Sequence, residues 1–274
     1  MTATIPPPDD APFPLGSVQA VATRAWALCL REDPFGLLVV PFVIYFPVYV
    51  SLTIMAELFD DIEALAHEAS LLSMLVGVLP LVIFARVLGE SWIIVRADAD
   101  AHGREVSYGA TLSQAFTRSW YLVVVLLAVY ALVQLGLFLL VIPGVIVWII
   151  ASFANQAAVL GPGRLLASLR LSRDLLEHNV AAWCGMLAYW VIVFLGLGML
   201  IGIVKQSLAA VIGGPSKFLF DLALVLPLQI ALLVFTTCWT LFYRELEARR
   251  HRHLHVTPEA SAPPSESDMS ARAS

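Results

Sequence analysis

Ser119–Gly163 reads SWYLVVVLLAVYALVQLGLFLLVIPGVIVWIIASFANQAAVLGPG, a run of 45 residues that contains no Asp, Glu, Lys or Arg. As one continuous α-helix, with a rise of about 1.5 Å per residue, it would extend roughly 68 Å. The hydrocarbon core of a bilayer is only about 30 Å thick. The run therefore predicts two membrane crossings with a reversal between them.

Pro143 and Gly144 lie near the middle of this run. Proline lacks the amide hydrogen that continues a helix, and glycine tolerates the left-handed backbone conformation that a tight reversal uses. The sequence therefore predicts a structural turn at these two residues, between one transmembrane helix at 120–141 and another at 145–160.

The composition of the whole chain is that of a membrane protein, because 59% of its 274 residues are hydrophobic and 14% are charged. Soluble domains have roughly 45–50% and 25%. Other stretches without charged residues predict four further crossings, which makes six transmembrane helices in total. These helices are predicted at about 35–55, 71–94, 120–141, 145–160, 180–203 and 218–242.

The predicted fold class is all-α, a polytopic membrane protein with a single six-helix domain at residues 15–250. Residues 1–14 are rich in Pro, include Asp9 and Asp10, and lack the apolar core of a signal peptide. They are predicted to be a disordered tail, and residues 251–274 a second tail that is basic at first and then disordered.

The arginines predict the orientation, because short cytoplasmic loops carry an excess of Lys and Arg. Six crossings place nearly all arginines on one side and leave Lys205 and Lys217 as the basic residues of the outer loops. Both termini are therefore predicted to lie in the cytoplasm. The arginines assigned to that side are Arg24, Arg31, Arg96, Arg104, Arg118, Arg164, Arg170, Arg173, Arg244, Arg249, Arg250 and Arg252.

A coarse repeat organises the six helices into three hairpin units, each preceded by a cytoplasmic interfacial helix. Thr23-Arg24-Ala25-Trp26 is echoed by Thr117-Arg118-Ser119-Trp120, and residues 164–176 are predicted to form the third interfacial helix. Indole rings favour the headgroup level of a bilayer, where an adjacent arginine reaches phosphates. Mechanical anchoring is the first hypothesis for these side chains, and a dedicated lipid-headgroup site is the second, with Arg24, Trp26, Arg118 and Trp120 as its candidates.

Four polar residues are predicted at membrane depth: Arg86, Glu90, Gln134 and Gln229. Arg86 and Glu90 are four residues apart on one helix, so they share a face and can pair. Pairing near the cytoplasmic surface and a role in translocation are the two hypotheses for them. For Gln134 and Gln229 the hypothesis is hydrogen bonding between helices.

The sequence contains no pattern that is typical of catalysis. It has no Gly-rich phosphate loop, no His-Glu-x-x-His, no nucleophile elbow and no soluble stretch long enough for a catalytic domain. Its three cysteines lack paired spacing. We therefore expect no enzyme activity, no catalytic residues, no cofactor, no metal site and no nucleic-acid partner. Residues 249–255, with three histidines among basic residues, predict attachment to anionic headgroups, with metal binding as the alternative.

Three groups of residues resemble a known family, the membrane domain attached to some bacterial glycerophosphodiester phosphodiesterases. They are the turn at Val141–Val145, Gly161-Pro162-Gly163 with Ala167, Leu169, Arg170, Ser172 and Leu175 after it, and the segment Leu241–Arg249. The resemblance covers about residues 15–250 and implies a helical domain in a bacterial cytoplasmic membrane. The phosphodiesterase activity belongs to a separate barrel domain that this sequence lacks, so it is not carried over.

Together these features predict a non-catalytic, multi-pass membrane module that acts through membrane lipids or other envelope proteins. The alternative is a transporter or lipid-handling protein that uses kinked helices and the pair Arg86 and Glu90. An intramembrane enzyme is the third hypothesis.

Overall fold

The computed structural model describes residues 15–46, 50, 68–139, 141–161, 163–208 and 215–260. Every regular element in these ranges is a helix, and none of them contains a β-strand. Leu28–Glu32 continues the first helix as a π-helical turn, and the second helix also begins π-helical, at Phe35–Val39. The helices are α1 (Leu15–Ala27), α2 (Phe35–Phe46), α3 (Glu68–Ala101), α4 (Tyr108–Leu139), α5 (Val141–Ile150), α6 (Ala154–Leu160), α7 (Leu165–Glu177), α8 (Val180–Leu208) and α9 (Pro215–Ala260).

Four segments in the described part of the chain are long and apolar enough to cross a membrane. The predicted all-α class is confirmed, and the chain has the apolar helices of a membrane protein. The first two predicted crossings lie only partly within the described residues. Residues 47–49 and 51–67 are outside the description, and so are the side chains of residues 68–79. The four segments are Tyr108–Leu139, Val141–Leu160, Val180–Leu208 and Leu226–Arg250.

Helix α4 differs from the prediction of a separate interfacial helix before the second hairpin unit. It runs without interruption from Tyr108 to Leu139, over 32 residues. No Pro or Gly occurs between residues 110 and 135 to interrupt its hydrogen-bond ladder. Thr117–Trp120 is therefore part of the same helix as the apolar stretch that follows it.

Helix α9 is also longer than predicted, with 46 residues up to Ala260, so it enters the segment assigned to the C-terminal tail. Residues 244–250 are rich in Glu, Leu, Ala and Arg, which are strong helix formers. Arg249 pairs with Glu245 one turn earlier, at 3.1 Å. Local preference therefore continues the helix past the apolar segment.

Pro143 and Gly144 lie in the first turn of α5, which begins at Val141. A proline is well placed there, since a first-turn amide has no partner within its own helix. Gly144 packs against α4: a Cβ added to it would lie 2.6 Å from the Leu137 nitrogen, and one added to Gly136 would lie 2.7 Å from the Gly144 Cα. Both glycines are needed for this close approach of two backbones.

The core lies at one end of the bundle, which we call the packed end. It contains the first half of α8, with Trp190 1% exposed, and Ala231–Leu246 of α9. Phe153 is at its centre, with ring centroids 5.5 Å from Trp239 and 5.7 Å from Phe242. Such aromatic contacts add about 0.5–1.5 kcal/mol each to the hydrophobic burial.

The other end of the described helices, which we call the open end, comprises residues 127–148 and 191–208. Its large apolar side chains are mostly exposed, including Phe138 at 88%, Ile142 at 73% and Met199 at 71%. In α8 the change occurs directly after Trp190. One helix thus changes from core to exposed surface along its length.

Candidate functional site

Asp33 organises a cluster of polar contacts at the packed end. One of its oxygens accepts a hydrogen bond from Arg96 Nε at 2.6 Å, and the other accepts from the Tyr108 hydroxyl at 3.1 Å and the Gly36 amide at 3.0 Å. A Cβ at Gly36 would collide with this carboxylate, so the position needs glycine. Asp33 lies just before α2 and Gly36 lies in its first turn. The cluster connects this part of the chain to the C-terminal end of α3 and the N-terminal end of α4.

Arg96 is held from three sides. Besides Asp33, its guanidinium donates to the Val106 carbonyl at 2.5 Å and lies over the Tyr108 ring, 4.9 Å from the centroid. A delocalised guanidinium suits both bidentate pairing and stacking on an aromatic face. Burial alone would lower the pKa of Arg96, but the hydrogen bond and charge of Asp33, together with Asp100, raise it above its ordinary value.

Asp100 lies beside this cluster, and its carboxylate is 3.7 Å from Arg96. Burial raises its pKa, the Arg96 charge opposes that rise, and the negative charges of Asp33 and Glu32 add to it. One of its oxygens, Oδ2, is buried without a hydrogen-bond partner. Asp100 is thus less well accommodated as an anion than Asp33.

Asp98 organises a second cluster on the opposite side of α3. Its two oxygens accept from Arg104 Nη2 and from Arg244 Nε, each at 2.6 Å. Arg244 also pairs with Glu247, and Glu247 accepts from the Tyr243 hydroxyl at 3.3 Å. Because Asp98 and Arg244 are 146 residues apart, this cluster connects α3 to α9. In both clusters a carboxylate pairs with arginine and connects the C-terminal part of α3 to another part of the chain.

The two Thr-Arg-x-Trp motifs occupy different environments. Trp26 points inward: its indole nitrogen donates to the Tyr189 hydroxyl at 3.2 Å, and its ring stacks on Trp190 at 6.4 Å. Trp120 is 71% exposed. Of the four lipid-headgroup candidates, Trp26 therefore packs mainly against other residues of the protein, whereas the Trp120 ring is accessible from outside the protein.

The arginines of the two motifs also differ. Arg24 is exposed, and its closest polar contact is a long one, 3.4 Å to the Ala101 carbonyl. Arg118 is half-buried and donates to the Gly161 carbonyl at 3.2 Å. Gly163, two residues later, has φ = 66°, a left-handed conformation that favours glycine. Arg118 thus fixes the loop between α6 and α7, whereas Arg24 is exposed.

Among the predicted intramembrane residues, Glu90 has a partner that sequence reasoning missed. Its carboxylate accepts a hydrogen bond from Asn155 Nδ2 in α6, at 2.8 Å. The Arg86 side chain is exposed, and its main-chain carbonyl accepts from the Tyr45 hydroxyl at 3.2 Å. The adjacent polar residues Asn155 and Gln156 near the end of the 45-residue run were the available signal.

The two glutamines lie in different surroundings. Gln134 of α4 is exposed at the open end, whereas Gln229 of α9 is 7% exposed. Buried polar groups in a membrane protein require internal partners. Gln229 therefore fits the predicted contact between helices better than Gln134 does.

A break between α5 and α6, at Ala151–Phe153, brings polar backbone groups into the core. The Ser172 hydroxyl of α7 accepts from the Phe153 amide at 3.0 Å and donates to the Ile150 carbonyl at 2.5 Å. The Trp239 indole donates to the Ser152 carbonyl at 2.9 Å. Side chains from two other helices thus satisfy backbone groups that the break leaves free. No local sequence signal identifies this role of Ser172.

Within the described residues, no group of three or more His, Cys, Asp or Glu side chains could hold a metal ion. The side chains of the histidine-rich segment 251–255 lie outside the description. Cys29 and Cys238 are buried and Cys184 is exposed, all as free thiols. Burial raises the pKa of Cys29 to about 11, only partly offset by its contact with Thr237, so it stays a protonated thiol at neutral pH.

We compared the chain with protein-family models, with curated proteins and with solved structures, and none of the three comparisons found a match.

Proposed function

We propose that this chain is a non-catalytic module of a bacterial cytoplasmic membrane that crosses the bilayer six times, with both termini inside, and acts through membrane lipids or envelope proteins. Four apolar segments of sufficient length support the membrane location. The arginine distribution supports the orientation, because basic residues concentrate in short cytoplasmic loops.

The arrangement in three hairpin units is part of this proposal, as is the kinship with the membrane domain of glycerophosphodiester phosphodiesterases. The close approach of Gly136 and Gly144 supports pairing of the third and fourth crossings. A reporter fused after Gly144 tests the topology. We expect an external signal, because this position follows the third crossing, and a cytoplasmic signal there would overturn the six-span arrangement.

The observation that carries the lipid interaction is the position of Arg24 and Trp120. Arg24 is exposed with only a long contact to the protein, and Trp120 is 71% exposed next to Arg118. Exposed arginine and indole side chains near the end of an apolar helix are suited to phosphates and to the headgroup level.

Lipid mass spectrometry of the purified protein tests this interaction. We expect Arg24→Gln with Arg118→Gln to reduce the anionic lipid that co-purifies, since each basic residue near an anionic surface contributes about 1 kcal/mol. Arg31→Gln is the matched control, because Arg31 is an exposed arginine outside both motifs. Equal lipid content in all three proteins would refute the lipid role.

The contact between Glu90 and Asn155 favours a second candidate, a lipid-handling or transport function. An ionisable side chain on an apolar helix is costly and typical of a transport pathway. A vesicle assay that follows transfer of fluorescent phosphatidylglycerol between leaflets separates the two. We expect Glu90→Gln to abolish transfer if this candidate is right, with Gln134→Leu at the open end as the control, whereas wild-type rates in Glu90→Gln would reject it.

A further inference from the structure

An open groove lies between α7 and the C-terminal part of α9. Its volume is about 640 Å³, within the range of about 300–1,000 Å³ that ligand sites have. Three arginines line it, Arg164, Arg170 and Arg250, and one acid, Asp174. The groove therefore carries an excess of positive charge and favours an anion.

The rotation of α7 presents Leu166 and Arg170 outward. Ser168 and Ser172 are fully buried on one face, where Ser172 is bonded to the break between α5 and α6. Leu166 and Arg170 are exposed on the other side, and Arg164 is exposed just before the helix. The same hydrogen bonds that complete the core thus hold the groove in place.

The start of α7 adds to the attraction for an anion. Arg164 is its N-cap residue in an extended conformation, and no side chain caps the first turn. The amides of a first helical turn have no partner within the helix and form the positive end of the helix dipole. They act here together with the guanidinium groups of Arg164 and Arg170.

Arg250 is held by a contact that an incoming anion can replace. Its Nη2 lies 3.0 Å from the Asp174 carboxylate, with 41% and 48% of the two side chains exposed. Such exposed ion pairs contribute little to stability. A phosphate offers Arg250 the same charge and a bidentate geometry.

The position of the groove favours a lipid as its ligand. Arg164 follows the candidate membrane segment Val141–Leu160 by four residues, so the groove lies where that segment leaves the apolar region. Leu166, 67% exposed, and Leu171 add apolar surface beside the arginines. We propose that this groove binds an anionic phospholipid, with its phosphate on Arg164, Arg170 and Arg250 and its glycerol and upper acyl chain on Leu166. This inference rests on the proposed lipid interaction and assigns it a second site.

Native mass spectrometry of the full chain in detergent, titrated with phosphatidylglycerol or phosphatidylcholine, tests the site. We expect Arg164→Gln with Arg170→Gln to weaken phosphatidylglycerol binding on the order of 25-fold, since each arginine near an anionic phosphate contributes about fivefold. Phosphatidylcholine binding should change little. Arg173→Gln is the matched control, because Arg173 is exposed on α7 but does not line the groove.

Asp174→Asn gives a change of opposite sign. It releases Arg250 and removes the negative charge, so we expect tighter phosphatidylglycerol binding. Loss of folding cannot tighten binding, so this variant keeps the test valid where the double variant is unstable. Unchanged or weaker binding in Asp174→Asn would count against the groove.

Three further outcomes would overturn the inference. Equal losses in Arg173→Gln and the double variant would indicate general charge attraction, and complete displacement of the lipid by equimolar inorganic phosphate would indicate a free-phosphate site. Wild-type binding in the double variant would reject the groove. In that last case, a loss of lipid in Arg24→Gln with Arg118→Gln leaves the proposed function standing, and no loss there rejects both.

Discussion

The packed end and the open end contain similar apolar residues but use them differently. Trp190 at the packed end of α8 is 1% exposed, and Met199, nine residues later, is 71% exposed. Added Cβ atoms at Gly196, Gly198 and Gly202 would meet no other atom of the described chain within 4 Å. The difference indicates that the two halves of α8 have different surroundings. The first half packs against other helices, and the second exposes apolar surface of an extent that suits lipid better than water.

The polar groups follow the same division. The clusters around Asp33 and Asp98 and the break held by Ser172 all lie at the packed end. Asp33, Asp98 and the backbone groups at the break find partners within the protein, as burial requires. The packed end is therefore the part whose geometry depends on specific contacts, and the following changes test that contrast.

The largest expected difference is between two phenylalanines. Phe153→Ala should lower the free energy of unfolding by about 4 kcal/mol, because it leaves a cavity among Trp239, Phe242 and Tyr243. Phe138→Ala, at a side chain 88% exposed, should change it by less than about 0.5 kcal/mol. Unfolding by SDS in mixed micelles measures both, and similar losses would mean that the open end is also packed.

Asp98→Asn should lower the free energy of unfolding by about 3 kcal/mol, since it leaves Arg244 without its main partner in a partly buried site. Arg104→Gln is the control: its side chain is 58% exposed, so its loss should cost less than about 1 kcal/mol. The same unfolding assay applies. Equal effects of the two variants would show that the Asp98 cluster does not connect α3 to α9.

Two glycine substitutions should act with opposite signs. Gly136→Ala should destabilise by about 2 kcal/mol, because its Cβ would collide with the Gly144 backbone. Gly198→Ala meets open space and should stabilise by up to about 1 kcal/mol through its higher helix propensity. Thermal unfolding of the two variants checks the signs, and destabilisation by Gly198→Ala would reveal a contact at the open end.

The smallest expected effect concerns Asp100, whose pKa is raised in the folded protein above its model-compound value of 3.8. A raised carboxyl pKa favours the protonated form, so its stabilising contribution is present below about pH 3.8 and is lost as the pH rises through the folded-state pKa. Asp100→Asn should therefore be more stable than the wild type at pH 7. Unfolding measured from pH 7 down to pH 4 should show this advantage shrinking, and a constant difference would contradict it.

The repeat motifs show where sequence reasoning reached its limit. Thr23–Trp26 and Thr117–Trp120 have nearly the same residues, and equal roles were predicted for them. Trp26 is nevertheless packed on Trp190, whereas Trp120 is exposed. The two tryptophans differ because Trp190, which lies 164 residues after Trp26 in the chain, packs on Trp26. A local sequence pattern carries no information about so distant a contact.

The polar pairs follow the same rule. The spacing of Arg86 and Glu90 predicts a pair within one helix, and it gives no sign of the hydrogen bond between Glu90 and Asn155, 65 residues away. Arg96 and Arg244 were used only as counts of positive charge for the orientation, although their acidic partners, Asp33 and Asp98, lie 63 and 146 residues away. Pairing between distant residues depends on how the helices are placed relative to one another. The spacing of residues along one helix contains no information about that placement.

The sequence by itself determined that this protein is helical and suited to a membrane, because apolar runs such as Ser119–Gly163 exceed what a soluble helix can bury. It also predicted a turn at Pro143 and Gly144, because these residues disfavour a continuing helix, and both lie in the first turn of α5. Only the tertiary structure decided which end is packed and which polar groups are matched. These properties arise where several helices meet, as at Phe153, and each depends on residues that are remote in the chain.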